Sequence, residues 1–567
     1  MFRMANRQIV PHVPMNVNNG IFHAFEEPAN RRIVALISVW LAATVILILL
    51  GFADGELVCD DAYYYYEIAR NAALGQGFTF DSLHPTNGFH PLWAWILVPV
   101  FYLFPDSIWA PIHVSLILSS LFTAATAFSI HVFFARRGCR EAGLIGATIW
   151  LLNPFTIVLG LRGLEGPLNT FLIAAVLLAL DSVRTRAAYT AAEALRLGAL
   201  MGLCLLARTD NVLLLAALSI VVSVELFRRG AWRDLLLKGA LFLATAAAIT
   251  LPWCIWNLAT FGTVVQTSFR SKRLFNLYGQ LPTWLPTDVT GLADVVRAAV
   301  NAFRNLGLVA EYNAKYIMGE EWTPIHEGYL LLYPLLFVGV GLTVLPRLHG
   351  RLRSLFEEYG GAAVALGPVG LFCLIHFGWY ALVGRNYYNW YFLPPVFAFS
   401  LFAGQRLGFL GSLGARAARL AVAVLLAGLM LATPIIVAKH VSGLERYGDE
   451  IQFLARMRPR IEPLPEGAKL GAWNAGAAGY FASFHYPDRY IVNLDGLVNN
   501  DVPRYVLEST YEQYLLENID YLIESPGPMT WVVGVPRTRA FVSRHLGPRL
   551  RVRTSESIVQ TTNPAAE

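Results

Sequence analysis

Charge is scarce in this sequence. Only 15% of its 567 residues are Asp, Glu, Lys or Arg, against 56% hydrophobic, and the mean hydropathy is +0.48. A chain of this length with so little charge is too apolar for a soluble globular class, which is therefore excluded. Cysteine is sparse as well. Cys59, Cys139, Cys204, Cys254 and Cys373 are odd in number, lie mostly inside apolar runs and show no metal or redox spacing. A disulfide framework and a zinc or thiol-redox motif are both excluded on that ground. No internal repeat is evident, which weighs against a transporter, since many transporters are built from repeats. Nor is there a basic stripe. The net charge of +5 comes mostly from arginines confined to particular loops, so nucleic acid is not a partner.

What the chain does have is apolar runs. After a mixed polar tail over residues 1–30, Arg31 and Arg32 precede a run over 33–53 that is long enough to span a bilayer and too long for a signal-peptide core. Further spans are expected near 108–135, 141–160, 167–182, 190–207, 211–227, 235–258, 328–345, 361–383, 387–404 and 418–438, for about eleven in all. The run over 91–104 is flanked by prolines and too short to cross, so it reads as interfacial or re-entrant. That choice puts Arg136, Arg137 and Arg140, and each later arginine cluster on a short loop, on the cytoplasmic side. The chain is thus expected to be an all-α polytopic protein of the cytoplasmic membrane. Its domains are a cytoplasmic tail over 1–30, a transmembrane domain over 31–438 and an extracytoplasmic α/β domain over 439–567. The last alternates short strands at 469–474, 490–496 and 520–525 with helices, notably 503–518. The extracytoplasmic loops are the first, 57–107, with interfacial helices, and a large one, 259–327, whose residues 292–303 form an amphipathic helix fit to lie on the membrane as a lid.

Polar residues gather on one face. The first loop carries LVCDDAYYYYEIARNAALGQGFTFDSLHPTNGFHPLW, in which Asp60 and Asp61 emerge at the end of the first span. A single Asp there can be no more than the solvated end of a helix, but a tandem pair pushes its two pKa values apart and leaves one carboxylate suited to accept a proton. On the same face lie His84, Asn87 and His90, then Arg162 and Glu165, Arg208 and Asp210, Arg270, Lys272 and Arg385. Cations outside the membrane run against the usual bias, and an anion would supply the reason. Arg208 with Asp210, and Arg162 with Glu165, either satisfy each other or serve a ligand. Arg385 has no acidic neighbour in its local sequence and reads as a ligand for a phosphate. The tyrosines 63–66 and the aromatic set at 387–391 are interfacial belts or sugar platforms. His84 and His90 with Asp81 match no metal spacing, whereas a divalent cation on Asp60, Asp61 and Glu165 stays open because hard cations take carboxylate oxygens.

Taken in order, the Asp-Asp pair, DAYYYYEIARN, GFTFDSLHPTNGFHPLW, RGLEGPLNTF, PWCIWNLATFG and RNYYNWYFLP resemble the C-type (GT-C) glycosyltransferases, a superfamily that includes protein mannosyltransferases and aminoarabinose transferases. The resemblance covers residues 30–405, and Asp-Asp stands where several members have Asp-Glu. It implies an inverting transferase that moves a sugar from a polyprenyl-phosphate donor to a glycan, lipid or protein acceptor on the extracytoplasmic face. Asp60 or Asp61 would be the base and Glu165 its helper. Arg385, Lys272 and Arg270 would hold the donor phosphate, and Tyr64, His84, Asn87, His90, Arg162 and Asp210 would bind substrate. No cofactor is required by this reading. A flippase for lipid-linked sugars and an oligosaccharyltransferase-like enzyme are the alternatives.

Overall fold

The computed structural model describes residues 28–51, 58–185, 190–228, 232–272, 366–379, 389–412, isolated positions between 420 and 433, 448–508, 510–523, 550–551 and 558–561. The first part is helical. In chain order it comprises α1 (Pro28–Leu49), α2 (Asp60–Ala73), α3 (Pro91–Leu103), α4 (Ala110–Ala135), α5 (Arg140–Leu152), α6 (Pro154–Gly160), α7 (Gly166–Thr185), α8 (Ala191–Ala207), α9 (Val212–Arg228), α10 (Trp232–Phe261), α11 (Gly367–Trp379) and α12 (Leu393–Ser412). Among the described residues, α1, α4, α7 and α10 are long and apolar enough to cross a bilayer, and α5 with α6 adds a broken span bent by 55°. The bend has a local cause. Pro154 has no N–H to give the ladder, and the Asn153 side chain accepts from the Phe155 amide at 2.9 Å, which ends one helix and caps the next. The runs expected at 328–345, and the amphipathic stretch 292–303, lie outside the described residues.

Packing explains which faces are apolar. α1 and α10 leave leucine and isoleucine side chains such as Leu49, Leu237 and Ile255 exposed, as a lipid-facing surface requires. Inside, α8 packs on α10, α5 on α12, and α4 on α5 and α7. Small residues set the crossing of α5 with α12: a Cβ on Gly404 of α12 would sit 2.7 Å from the Gly146 Cα of α5. Only glycine at both positions lets the two backbones meet.

The second part begins at α13 (Gly448–Arg456) and continues as β1 (Lys469–Ala472), α14 (Gly476–His485), β2 (Tyr490–Asn493), α15 (Val502–Leu507), α16 (Tyr511–Asn518), β3 (Tyr521–Ile523), β4 (Leu550–Arg551) and β5 (Ile558–Thr561). These strands form one sheet in the order β2-β1-β3-β5-β4. β1 runs parallel to both neighbours, with Leu470 opposite Ile491 and Tyr521, while β5 is antiparallel to β3 and β4. The single helix expected over 503–518 is two, because the Thr510 N–H turns back to the Tyr505 carbonyl at 2.9 Å and α16 restarts with Tyr511, Tyr514 and Leu515 against Val492 and Leu494. This part does not stand apart from the first. α14 lies directly against α2, the helix that follows the first span.

Candidate active site

Tyr63, Tyr64, Tyr65 and Tyr66 are all buried. Four consecutive helical residues point around a whole turn, so this turn of α2 is enclosed and the tyrosines are not an exposed interfacial belt, while Tyr64 and Tyr65 reach the cleft described below. Each hydroxyl has a partner. Tyr63 donates to Asp449 at 2.9 Å, Tyr64 to Asp495 at 3.4 Å, Tyr65 accepts from the His90 amide at 3.2 Å, and Tyr66 meets Ser115 at 2.8 Å.

The acidic pair at the start of α2 is split between two environments. Asp60 points at the N-terminus of α14, where its two oxygens accept from the Gly476 amide at 3.1 Å and the Ala477 amide at 2.8 Å. Burial pushes its carboxyl up to about 7, against the pull of those amides, with the Asp61 charge a lesser contribution. Desolvation therefore outweighs the mutual repulsion on which the tandem-pair argument rests. Asp61 turns the other way, into a cleft, with its Oδ2 3.7 Å from the Lys272 Nζ.

Segments far apart in sequence line this cleft. α2 contributes Asp61, Tyr64 and Tyr65; the first loop, Phe89 and His90; the start of α7, Glu165; the end of α8, Arg208; the turn after α10, Ser268 and Lys272; the 3₁₀ turn Asn389–Phe392, Trp390 and Tyr391; and the loop after β2, Leu497 and Val498. Lys272 also donates to the Tyr391 hydroxyl at 3.2 Å. Arg208, in extended backbone at the end of α8, makes a two-pronged contact with Asp210 at 3.0 and 2.9 Å, and its remaining arm reaches Glu165 while its plane lies 4.9 Å from the Tyr391 ring centre. Burial would raise the Asp210 carboxyl, but the Arg208 charge and the hydrogen bonds from His376 and Arg208 hold it well below the usual range. His90 lies 3.7 Å from Glu165, and burial pushes it down to about 4 despite that neighbour. It is a neutral imidazole at pH 7.

The other candidates fall in different places. Arg208 and Asp210 do pair, but Glu165 pairs with Arg208 and not with Arg162, whose guanidinium lies beneath the Trp390 ring, 5.7 Å from its centre. Asn87 is buried just behind the cleft and accepts from Asn500 and the Thr267 amide, both at 3.0 Å. His84 is held by Asp81 at 2.8 Å in a turn away from the cleft, which raises its pKa. Arg270 is half-buried near Lys272 and does not line the cleft, and Arg385 lies outside the described residues. Among the described residues no group of three or more His, Cys, Asp or Glu side chains is arranged to hold a metal ion. His376, Ser268, Leu497 and Val498 carry no motif in the sequence. Only the fold places them here.

In sequence, neither a family model nor a curated protein matches the chain. Its fold does match solved structures. ArnT from Cupriavidus metallidurans bound to undecaprenyl phosphate superposes with a TM-score of 0.51 at 14% identity, over 93% of this chain and 98% of that one. The same protein in the apo state gives 0.52 at 14% identity, over 94% and 98%. An oligosaccharyltransferase from Archaeoglobus fulgidus is a looser match, at 0.49 and 16% identity over 85% and 69%. The fold is that of ArnT.

Proposed function

From this fold and the GT-C resemblance of the sequence we propose that the chain is a membrane glycosyltransferase that moves a sugar from a polyprenyl-phosphate carrier to an acceptor hydroxyl on the extracytoplasmic face. The observation that carries the reading is the cleft, where one carboxylate, Asp61, and one ammonium, Lys272, face each other with an aromatic hydroxyl, Tyr391, beside them. Such a pair fits both ends of an inverting displacement. Asp61 takes the proton of the acceptor hydroxyl as its oxygen bonds to the anomeric carbon; the bond from that carbon to the phosphate oxygen breaks, and Lys272 receives the phosphate charge. Arg208 is less suited to that task, since Asp210 and Glu165 already neutralise it. With Glu165 it forms a fixed charged wall that keeps His90 in place. Arg270, two residues before Lys272, and Arg385, shortly before Tyr391, are retained as further phosphate contacts. The geometry of α7, whose 20 residues span about 30 Å, supports an extracytoplasmic cleft. Glu165 precedes its first residue, and Asp181, paired with Arg137, stands near its last. With the arginine-rich end taken as cytoplasmic under the positive-inside bias, the cleft would open outside.

The test is transfer by purified protein in lipid nanodiscs from a panel of polyprenyl-phosphate sugars to glycan, lipid and peptide acceptors, with donor affinity measured separately. Asp61→Asn is expected to lower kcat about 10²- to 10⁴-fold while leaving donor affinity within about twofold. Lys272→Ala is expected to weaken donor binding roughly tenfold or more, the worth of a charge-assisted hydrogen bond. Near-normal turnover in Asp61→Asn would remove it as the base. Donor bound without transfer to any acceptor, but moved between leaflets, would make the chain a flippase.

A further inference from the structure

The α/β part holds the acidic pair in a place where folds of its kind hold a ligand. In β1, α14 and β2 the chain runs strand, a three-residue turn (Trp473, Asn474, Ala475), helix, parallel strand, and then crosses to the other side of β1 to form β3. The carboxyl end of β1 is therefore a point where the connections diverge, and crevices at such points, with the helix N-terminus beside them, are where open α/β sheets take anionic ligands. Here the crevice is filled from within the chain. The Asp60 carboxylate sits on the α14 N-terminus, on the amides of Gly476 and Ala477. The Tyr64 hydroxyl, one helical turn along α2, enters beside it: it accepts from the Ala475 amide at 2.9 Å and from Asn493 at 3.0 Å, and donates to Asp495 just past β2. Asp495 also accepts from the Asn474 amide at 3.2 Å and the Leu497 amide at 2.9 Å, which shapes the turn that brings Leu497 and Val498 to the cleft. There is no slack in this seat. A Cβ on Gly476 would lie 2.1 Å from the Asp60 carbonyl oxygen, and one on Gly88 1.8 Å from that of Leu497.

We propose that the C-terminal α/β domain is the clamp of the active site: its strand-end crevice binds Asp60 and Tyr64 as built-in ligands, which fixes the first turn of α2 so that Asp61 points at Lys272. Asp60, Tyr64 and Asp495 are then positioning residues, and Asp61 is the carboxylate that meets substrate. The proposal rests on the transferase reading for its kinetic consequence and is independent of it for its structural one. Two measurements on the full chain in nanodiscs separate them. Amide hydrogen exchange over Ala475–Tyr480 reports the anchoring, with Leu470–Ala472 of β1 as the internal control for an intact domain. Asp60→Ala is expected to speed exchange at Gly476 and Ala477 at least tenfold while β1 stays protected, and Asp60→Asn, which keeps one acceptor oxygen, is expected to do so less. In transfer assays Asp60→Ala is expected to lower kcat about 10- to 100-fold with donor KM within twofold, and Asp60→Asn to recover part of the loss.

Unchanged exchange at Gly476 and Ala477 in Asp60→Ala would overturn the clamp, as would loss of β1 protection in both variants, which would make Asp60 a support of the domain's own fold. An unchanged kcat would overturn the positioning role, and a loss as deep as that of Asp61→Asn would make Asp60 a catalytic residue instead. If the wild-type protein transfers no sugar, the proposed function falls and the exchange result alone decides the clamp.

Discussion

His90 shows how burial sets the chemistry of a single side chain here. Its imidazole has a carboxylate 3.7 Å away, which would ordinarily raise its pKa, yet desolvation wins and takes it down to about 4. Between pH 4 and the unfolded value near 6.5 the unfolded chain binds the extra proton, so stability rises with pH across that window and is fully present above it. The buried carboxyls of Asp60 and Glu67, both raised to about 7, act in the opposite sense over the same window, so the His90 contribution is read as a difference. On going from pH 6.5 to pH 4.5 the Tm of His90→Gln in nanodiscs is expected to shift upward relative to that of the wild type, and equal shifts in both proteins would show that His90 contributes nothing to the acid response. Of the residues now placed around the cleft, Asp61, His90, Glu165 and Lys272 stand out in the sequence because each is an ionisable group at the edge of an apolar run. The division between Asp60 and Asp61 is not legible there. It depends on α14, more than 400 residues away, presenting its amides to one carboxylate and not the other.

Helices of this fold can be read from composition because the bilayer demands it: an apolar run of sufficient length is a helix, and the observed bounds of α1, α4, α7 and α10 fall within a few residues of the runs. Breaks and crossings are harder to read. The Asn153–Pro154 pair that divides α5 from α6 is a turn signal inside an otherwise continuous apolar run, and the run as a whole reads as a single span. The Gly146–Gly404 contact involves two glycines whose meeting no local pattern announces. Gly404→Val is expected to destabilise the protein by about 1–3 kcal/mol through overpacking, with only a secondary effect on donor affinity. Denaturation in mild detergent measures the first, and an unchanged Tm would show that α12 has room to shift away from α5.

At the scale of the molecule, the described helices run between an arginine-rich end and the cleft. A single-cysteine probe at Glu466 in the α/β domain is expected to react with an impermeant maleimide in intact cells, and one at Arg136, at the end of α4, only after permeabilisation; the reverse pattern would invert the whole assignment. The native thiols leave a low background, four being buried and Cys254 partly so. The contact between Tyr64 and Asp495 also bears on how the protein is made. The two residues are 431 positions apart, so the helix that carries Asp61 is synthesised and inserted long before its seat exists. Contacts so remote in sequence form late. A chain still on the ribosome, or one whose α/β part has yet to emerge, therefore has its membrane helices in place and no finished cleft, which is completed only when that part folds around the first loop.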